Sequence, residues 1–439
     1  MHLLCTNGSP IVDTLTHLPP LPLVIDYQNP TTAIGALDCP GIFHALQLFD
    51  RVRRVALRIP SSSLNDLLAL MGDPFPILEQ LSLSSTTEDM GPRLPETFLA
   101  PNLRHLTLSG IRLPGELTLL STISLVSLIL ADIRATTYFL PKDLVRYLRT
   151  FSQLEELSIS FSVPLPRPSA ERELSDALQN PVTLPTLRYL TFKGVGAYLD
   201  SLVAQIRAPL LDHLNITLFN QIAFALPHLS HFTNTTEGLY LPTAKIIFTH
   251  DAVSVVTDHR TQQLGSRHPG FSLRVICKQL DWQIDSAAQI CRSLMPVLSR
   301  VERLELDFDG MMIPAEFRDG AVDGVTWREL LEPFIGARGL HICRTLTREL
   351  SSALQLDNVG LDPGLLPSLL VLAPKIQEEQ AIKAFASFVN ICQVAGRPVH
   401  LSPLPWQSTR RVRFADKEPW PQAWPFYGAA LPIPESWPK

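Results

Sequence analysis

The chain has 439 residues, 46% of them hydrophobic and 18% charged, with a formal net charge of −5. That length suits two or three ordinary domains or one elongated array, and the mild negative balance excludes the electrostatic footprint of a nucleic-acid or anionic-membrane binder. Six cysteines (Cys5, Cys39, Cys277, Cys291, Cys343, Cys392) form no CxxC pair, which argues against a disulfide framework or structural zinc and for a reducing, cytoplasmic or nuclear compartment.

The chain begins MHLLCTNGSP, which lacks a basic start and a sustained apolar stretch and does not read as a signal peptide. Residues 1–20 are expected to be an N-terminal cap or remnant linker. LPLVIDY (21–27) is a degenerate first copy of a phrase, L-x-x-L-x-L, that then recurs down the chain. VRRVAL starts at Val52, LEQLSL at Leu78, LRHLTL at Leu103, LVSLIL at Leu125, LEELSI at Leu154, LRYLTF at Leu187 and LDHLNI at Leu211. VERLEL follows at Val301 and LLPSLLVL (365–372) is a degenerate last copy. From Leu78 to Leu211 the steps are 25, 22, 29, 33 and 24 residues. Repetition at that period with that phrase is the signature of leucine-rich repeats.

Alternation in the last four positions makes a short strand with one apolar face, which a single strand cannot bury and a parallel stack can. Between phrases lie helical stripes: Leu64, Leu67, Leu68 and Met71; Leu144, Leu148 and Phe151; Leu199, Leu202, Val203 and Ile206; and Ile382, Phe385, Val389 and Cys392. The repeats from 78 to 130 are too short for a long helix and should return through loops or 3₁₀ turns. LTLLSTISLVSLILA (117–131) falls short of the ~20 residues that span a bilayer and reads as two sheet segments. FPIL, APNL, LPTL, APLL and LPSL place a proline just before the strand, where it ends the preceding segment and presets an extended lead-in. Between about 220 and 300 the rhythm weakens, with TAKIIF and FSLRVICK as candidate strands. The expectation is an α/β leucine-rich-repeat solenoid over 21–401, an irregular horseshoe with all strands parallel on the concave side. A disordered tail rich in proline and tryptophan follows over 402–439.

Positions three and five of each phrase should face the open side. Position three reads Arg54, Gln80, His105, Ser127, Glu156, Tyr189, His213 and Arg303. Position five reads Ala56, Ser82, Thr107, Ile129, Ser158, Thr191, Asn215 and Glu305, and is mostly small. Small neighbours leave the longer side chains room to meet a partner. Singly, each is an ordinary solvated strand residue; as a set, Arg54, Gln80, His105, Glu156, Tyr189, His213 and Arg303 are the candidate partner-binding surface.

Other motifs have plainer readings. KGVGAYL (193–199) lacks the third glycine of a dinucleotide fingerprint and reads as a tight strand-to-helix turn. His228 and His231 have metal-ligand spacing on a helix but no third ligand at useful distance. Asn7, Asn215 and Asn234 each open an N-x-[ST] sequon, which without a secretory signal is a chance match. No nucleophile elbow, Walker loop or distinctive carboxylate pair is present, so no catalytic, cofactor or metal residue is assigned. In the tail, Arg411, Val412 and Phe414 match the RVxF pattern by which regulatory proteins dock protein phosphatase 1.

LPLVIDY, DRVRRVALRIP, PNLRHLTLSG, QLDWQIDSAAQI, TWRELLEPF, ELSSALQLD and AGRPVHL together resemble the repeat portion of the F-box/leucine-rich-repeat-like proteins expanded in mushroom-forming fungi. The resemblance covers roughly residues 1–401. It implies a substrate receptor of a ubiquitin ligase, whose F-box docks the ligase adaptor. MHLLCTNG stands about where such an F-box ends, so an adaptor is expected as partner only if an F-box lies upstream. LPKDLVRYLRTFSQLEEL (140–157) imitates an F-box superficially, but its place between two phrases makes it a repeat helix. The functional expectation is a monomeric, non-enzymatic protein-recognition module with no cofactor, nucleic-acid or membrane partner. The alternatives are a hydrolase on a repeat scaffold and a phosphatase-docking protein.

Overall fold

In the computed structural model, residues 3–6, 15, 21–27, 39–87, 91–113, 124–164, 181–236, 238–239, 242–257, 270–309, 324–355 and 365–402 are described. The first strands are β1 (Leu3–Thr6), β2 (Leu23–Tyr27), β3 (Val52–Ile59), β4 (Gln80–Ser85), β5 (His105–Ser109), β6 (Ser127–Ile133) and β7 (Glu156–Phe161). After the short β8 (Val182–Thr183) come β9 (Tyr189–Gly194), β10 (Ile206–Arg207), β11 (His213–Phe219), β12 (Thr243–Phe248), β13 (Ala252–Val256) and β14 (Gly270–Ile276). The last are β15 (Arg303–Phe308), β16 (Gly339–Ile342), β17 (Val371–Pro374) and β18 (His400–Leu401). Sixteen of these strands form one sheet, and β8 and β10 form a small second one.

Every phrase places its strand as expected. The first leucine of each (Leu78, Leu103, Leu125, Leu154, Leu187, Leu211) is fully buried, as are the alternating pairs such as Leu81 with Leu83 and Leu157 with Ile159. A turn recurs before the strands: the first-leucine amide donates to the carbonyl three residues back, from Leu103 to Ala100 at 3.1 Å and from Leu211 to Ala208 at 3.2 Å. The register then repeats a fork, in which two successive amides donate to one carbonyl of the preceding strand. Arg104 and His105 share Glu79 O (2.8 and 3.0 Å), and Arg188 and Tyr189 share Glu155 O (2.9 and 3.0 Å). Because a one-residue slip would turn the leucines to solvent, fork and hydrophobic alternation specify the same register.

The convex side is covered as its sequence allows. Helices α1 (Cys39–Gln47), α2 (Ser61–Ala69), α3 (Pro141–Leu148), α4 (Gly196–Val203) and α5 (Pro227–Thr235) alternate with strands. They are followed by α6 (Leu280–Ser293), α7 (Met295–Leu298), α8 (Gly324–Leu331), α9 (Thr347–Gln355) and α10 (Glu378–Val394). Pro141 and Pro227 open their helices at the first turn, where no amide donor is needed. Where the repeats are short, the described residues 91–104 return without a helix and Phe75, Leu94 and Phe98 fill the layer. Further on, Phe161, Phe192 and Tyr198 build an aromatic core, with Phe161 and Tyr198 edge to face at 4.8 Å.

The structure corrects three expectations. First, the strands are not all parallel and not all in chain order. The sheet runs β11-β14-β13-β12-β15, so the chain leaves β11, lays β12 two places away, and returns through the antiparallel β13 to seat β14 beside β11. β12 and β14 are TAKIIF and the start of FSLRVICK; β13, DAVSVV, carries no leucine phrase. Second, the buried stripe of α10 is Ala381, Phe385, Phe388 and Cys392, with Ile382 51% exposed, because the helix is rotated about one residue from the expected stripe. Third, Ile206 is buried on β10, past the end of α4. Of the two segments expected in 117–131, β6 is present, and the other lies outside the described residues, as does the tail 403–439. The helix Pro141–Leu148 and the strand β7 confirm that 140–157 is a repeat helix and its strand. No helix among the described residues is long and apolar enough to cross a membrane.

Candidate functional site

Parity along each strand sends the leucines inward and the intervening residues to the open face, and the register then aligns those residues across the sheet. Arg54, Gln80, His105, Ser127, Glu156, Tyr189 and His213 are consecutive partners in one row. One step along, Ala56, Ser82, Thr107, Ile129, Ser158, Thr191 and Asn215 make the parallel row of mostly small residues. The second row runs on through Ser272, Val256 and Lys245 to Glu305 and His341, whereas the first meets Gly270 beside His213. Arg303 therefore sits on the same face but on the far side of the β12–β14 insertion, away from the six other candidates.

The row is electrostatically uneven. Arg54 approaches Asp26 at 3.9 Å, and burial raises the Asp26 carboxyl against the opposing pull of that guanidinium. Burial lowers the His105 imidazole, against the raising effect of Glu156, which favours its neutral form near neutral pH. Glu156 accepts a hydrogen bond from Ser127 Oγ at 3.0 Å. Tyr189 and His213 stack, centroids 4.6 Å apart and planes 30° from parallel.

Beyond the insertion lies a charged network that the strand phrases alone did not reveal, apart from Arg303 and Glu305. Lys245 Nζ is 2.6 Å from Asp307 and 3.6 Å from Glu305, Lys375 Nζ donates to Glu305 at 2.8 Å, and Arg303 Nη2 lies 3.4 Å from His341 Nδ1. Lys245 was obscured because its strand is displaced next to β15, and Lys375 because it follows Pro374 just past β17. Burial alone would raise the Glu305 carboxyl, but the Lys375 hydrogen bond and the charges of Lys245, Lys375 and His341 outweigh it and hold the pKa below the ordinary value.

Other candidates take structural places. The glycines of KGVGAYL close β9 and open α4, a strand-to-helix turn. His228 and His231 are exposed on α5, and no group of three metal-ligating side chains occurs among the described residues. Asn215 and Asn234 stand on β11 and α5, while Asn7 lies outside the described residues. Arg411, Val412 and Phe414 also lie outside them. Cys277 and Cys291 are buried, and desolvation pushes their thiols up to about 11 and about 12, the reverse of what a nucleophile needs.

A leucine-phrase sheet stacked strand on strand, with helices and loops on one side and a polar row on the other, defines the class: this is a leucine-rich-repeat solenoid. No family model matches the chain, and no curated protein matches it. Among solved structures it is similar to TLR13 in its ssRNA13 complex, at 12% identity and a TM-score of 0.31, covering 92% of this chain and 49% of that one. It is also similar to the leucine-rich-repeat protein LegL7 of Legionella pneumophila, at 12% identity and TM-score 0.26, covering 91% and 99%. An internalin, inlF of Listeria monocytogenes, is 12% identical with TM-score 0.26, covering 84% and 95%. The chain thus spans about half the length of the TLR13 chain.

Proposed function

We propose that the chain is a non-enzymatic recognition module that holds a protein partner along the open face, as a monomer in the cytoplasm or nucleus. One observation carries the reading: Arg54, Gln80, His105, Glu156, Tyr189 and His213 fall in a single register row over a floor of small residues. Seven strands at ~4.8 Å make that row about 29 Å long, enough for an extended segment of roughly eight or nine residues. The biological setting we propose is substrate capture in the manner of F-box receptors, with a ligase adaptor engaged only where an F-box precedes the repeats.

The test is the combined variant Arg54→Ala, His105→Ala, Tyr189→Ala. None of the three supports the core, so the variant should melt as the wild type and lose partners in affinity capture from extracts of the source cells. Leu106→Ala is the contrasting control and should cost about 2–5 kcal/mol as a core cavity. A triple variant that melts normally and keeps every partner refutes the open-face reading. Sequencing the transcript upstream of Met1, and probing any encoded F-box for adaptor binding, decides the receptor setting.

A further inference from the structure

The row contains a slot with its own chemistry at the start of β7. Glu155 and Glu156 are consecutive carboxylates, and neither makes an ion pair with a described residue. Acids elsewhere on the same strand starts are neutralised: Glu79 by Arg53 at 2.9 Å and Asp212 by Arg188 at 2.9 Å. Glu156 leans toward β6, because its Oε2 accepts from Ser127 Oγ at 3.0 Å. Its register partner on the other side is Tyr189, so the lean widens the gap between carboxylate and ring beyond one strand spacing.

The ring orientation follows from the stack. The Tyr189–His213 centroid distance of 4.6 Å nearly equals the spacing of adjacent strands, ~4.8 Å, so both rings stand on edge across the sheet. One face of Tyr189 covers His213 and the other turns toward β7. Beneath the gap lie Ser158 and Thr191, short side chains that leave the floor low.

We propose that this slot receives an arginine side chain from an extended segment of the partner, its guanidinium flat against Tyr189 and its N–H groups on the carboxylates of Glu156 and Glu155. The slot matches arginine in shape as well as sign. A planar guanidinium stacks on an aromatic face and presents a fork of donors to a carboxylate, which a lysine ammonium cannot do together. An acidic segment is repelled, and an apolar one would cover two carboxylates without pairing them.

This proposal rests on the open-face reading, and the experiment separates the two. Random twelve-residue peptides displayed on phage are selected on the purified full chain, and single clones are then measured on wild type, on Glu155→Gln/Glu156→Gln, and on Arg54→Ala/Gln80→Ala. The expected result is a fixed arginine in the selected peptides. Binding should fall roughly tenfold or more on the double glutamine variant, the size expected for loss of a charged hydrogen-bonded pair. Replacing that arginine by citrulline, which keeps the shape and removes the charge, should weaken wild-type binding equally and leave the glutamine variant unaffected. Selected peptides without a basic residue, an arginine whose contribution survives in the glutamine variant, or no selected peptide at all would each overturn the slot. If binding depends on Arg54 and Gln80 but not on the two glutamates, the open-face reading stands and the slot falls.

Discussion

Tyr198 illustrates how a single atom limits the core. Its ring is fully buried among Phe161, Phe192, Tyr138 and Phe139, yet its hydroxyl has no hydrogen-bond partner among the described residues. Leaving a buried hydroxyl unpaired costs about 1–3 kcal/mol, so Tyr198→Phe should raise the thermal midpoint. A lower midpoint would mean that an ordered water or partner holds the hydroxyl. Glu305 makes the opposite case, a charge held by its neighbours. Its pKa in the folded chain lies below the ordinary glutamate value, so the folded state favours the ionised form more than the unfolded state does. The associated stability is present above the ordinary glutamate value and disappears as pH falls through the folded one. Denaturant midpoints between pH 7 and pH 3 should therefore drop more steeply in the wild type than in Glu305→Gln. Equal slopes would show that Lys245 and Lys375 do not hold the carboxylate in solution.

At the scale of the element, hydrophobic period reads which face of a segment is inward but not which segment is its neighbour. The phrases from Leu78 to Leu211 are pure enough that their strands, faces and order all follow from the sequence. α10 shows where period alone slips: Ile382, Phe385, Val389 and Cys392 and the observed Ala381, Phe385, Phe388 and Cys392 are both helical stripes. Burial selects the second because a small alanine lets the helix approach the sheet. Phe385→Ala should cost about 3–5 kcal/mol, while Ile382→Ala should stay within about 0.5 kcal/mol, read by chemical denaturation. β13 and β16 were obscured for different reasons. DAVSVV alternates without a leading leucine, and in ARGLHI the first phrase position is Ala337, buried but too small to announce itself. The candidate row was legible through parity, since outward positions follow once the inward leucines are known. The Glu156 lean and the Tyr189 stack were not, because rotamers depend on cross-strand neighbours rather than on spacing.

For the whole molecule, the reversed order β11-β14-β13-β12-β15 makes β14 the sheet's single bond between its two arms. Leu273 is central in β14, paired with Ile216 on one side and Val255 on the other. A proline there removes a ladder donor in an interior strand and clashes with its neighbours. Leu273→Pro should therefore uncouple the arms, so that the arm ending at β11 outlasts the rest in limited proteolysis and melting splits into two steps. One cooperative transition at a lower midpoint would show that the helices α5 and α7, which meet across the same gap, suffice to join the arms.

The same reversal bears on the order of events at the ribosome. From β1 to β11 each new strand docks on the one before it, so the sheet can grow as fast as the chain emerges. At β11 that growth must stop. The next strands made, β12 and β13, have places that exist only after β14 arrives, and β14 ends at Ile276. While the residues between Phe219 and Ile276 are being added, the β11 edge stands unpaired, with Leu214, Ile216 and Leu218 behind it. An open, strongly apolar strand edge is a template for any other chain nearby. For that interval the nascent protein depends on chaperones or on speed of synthesis, and slow codons between 220 and 276 would be its most hazardous silent changes.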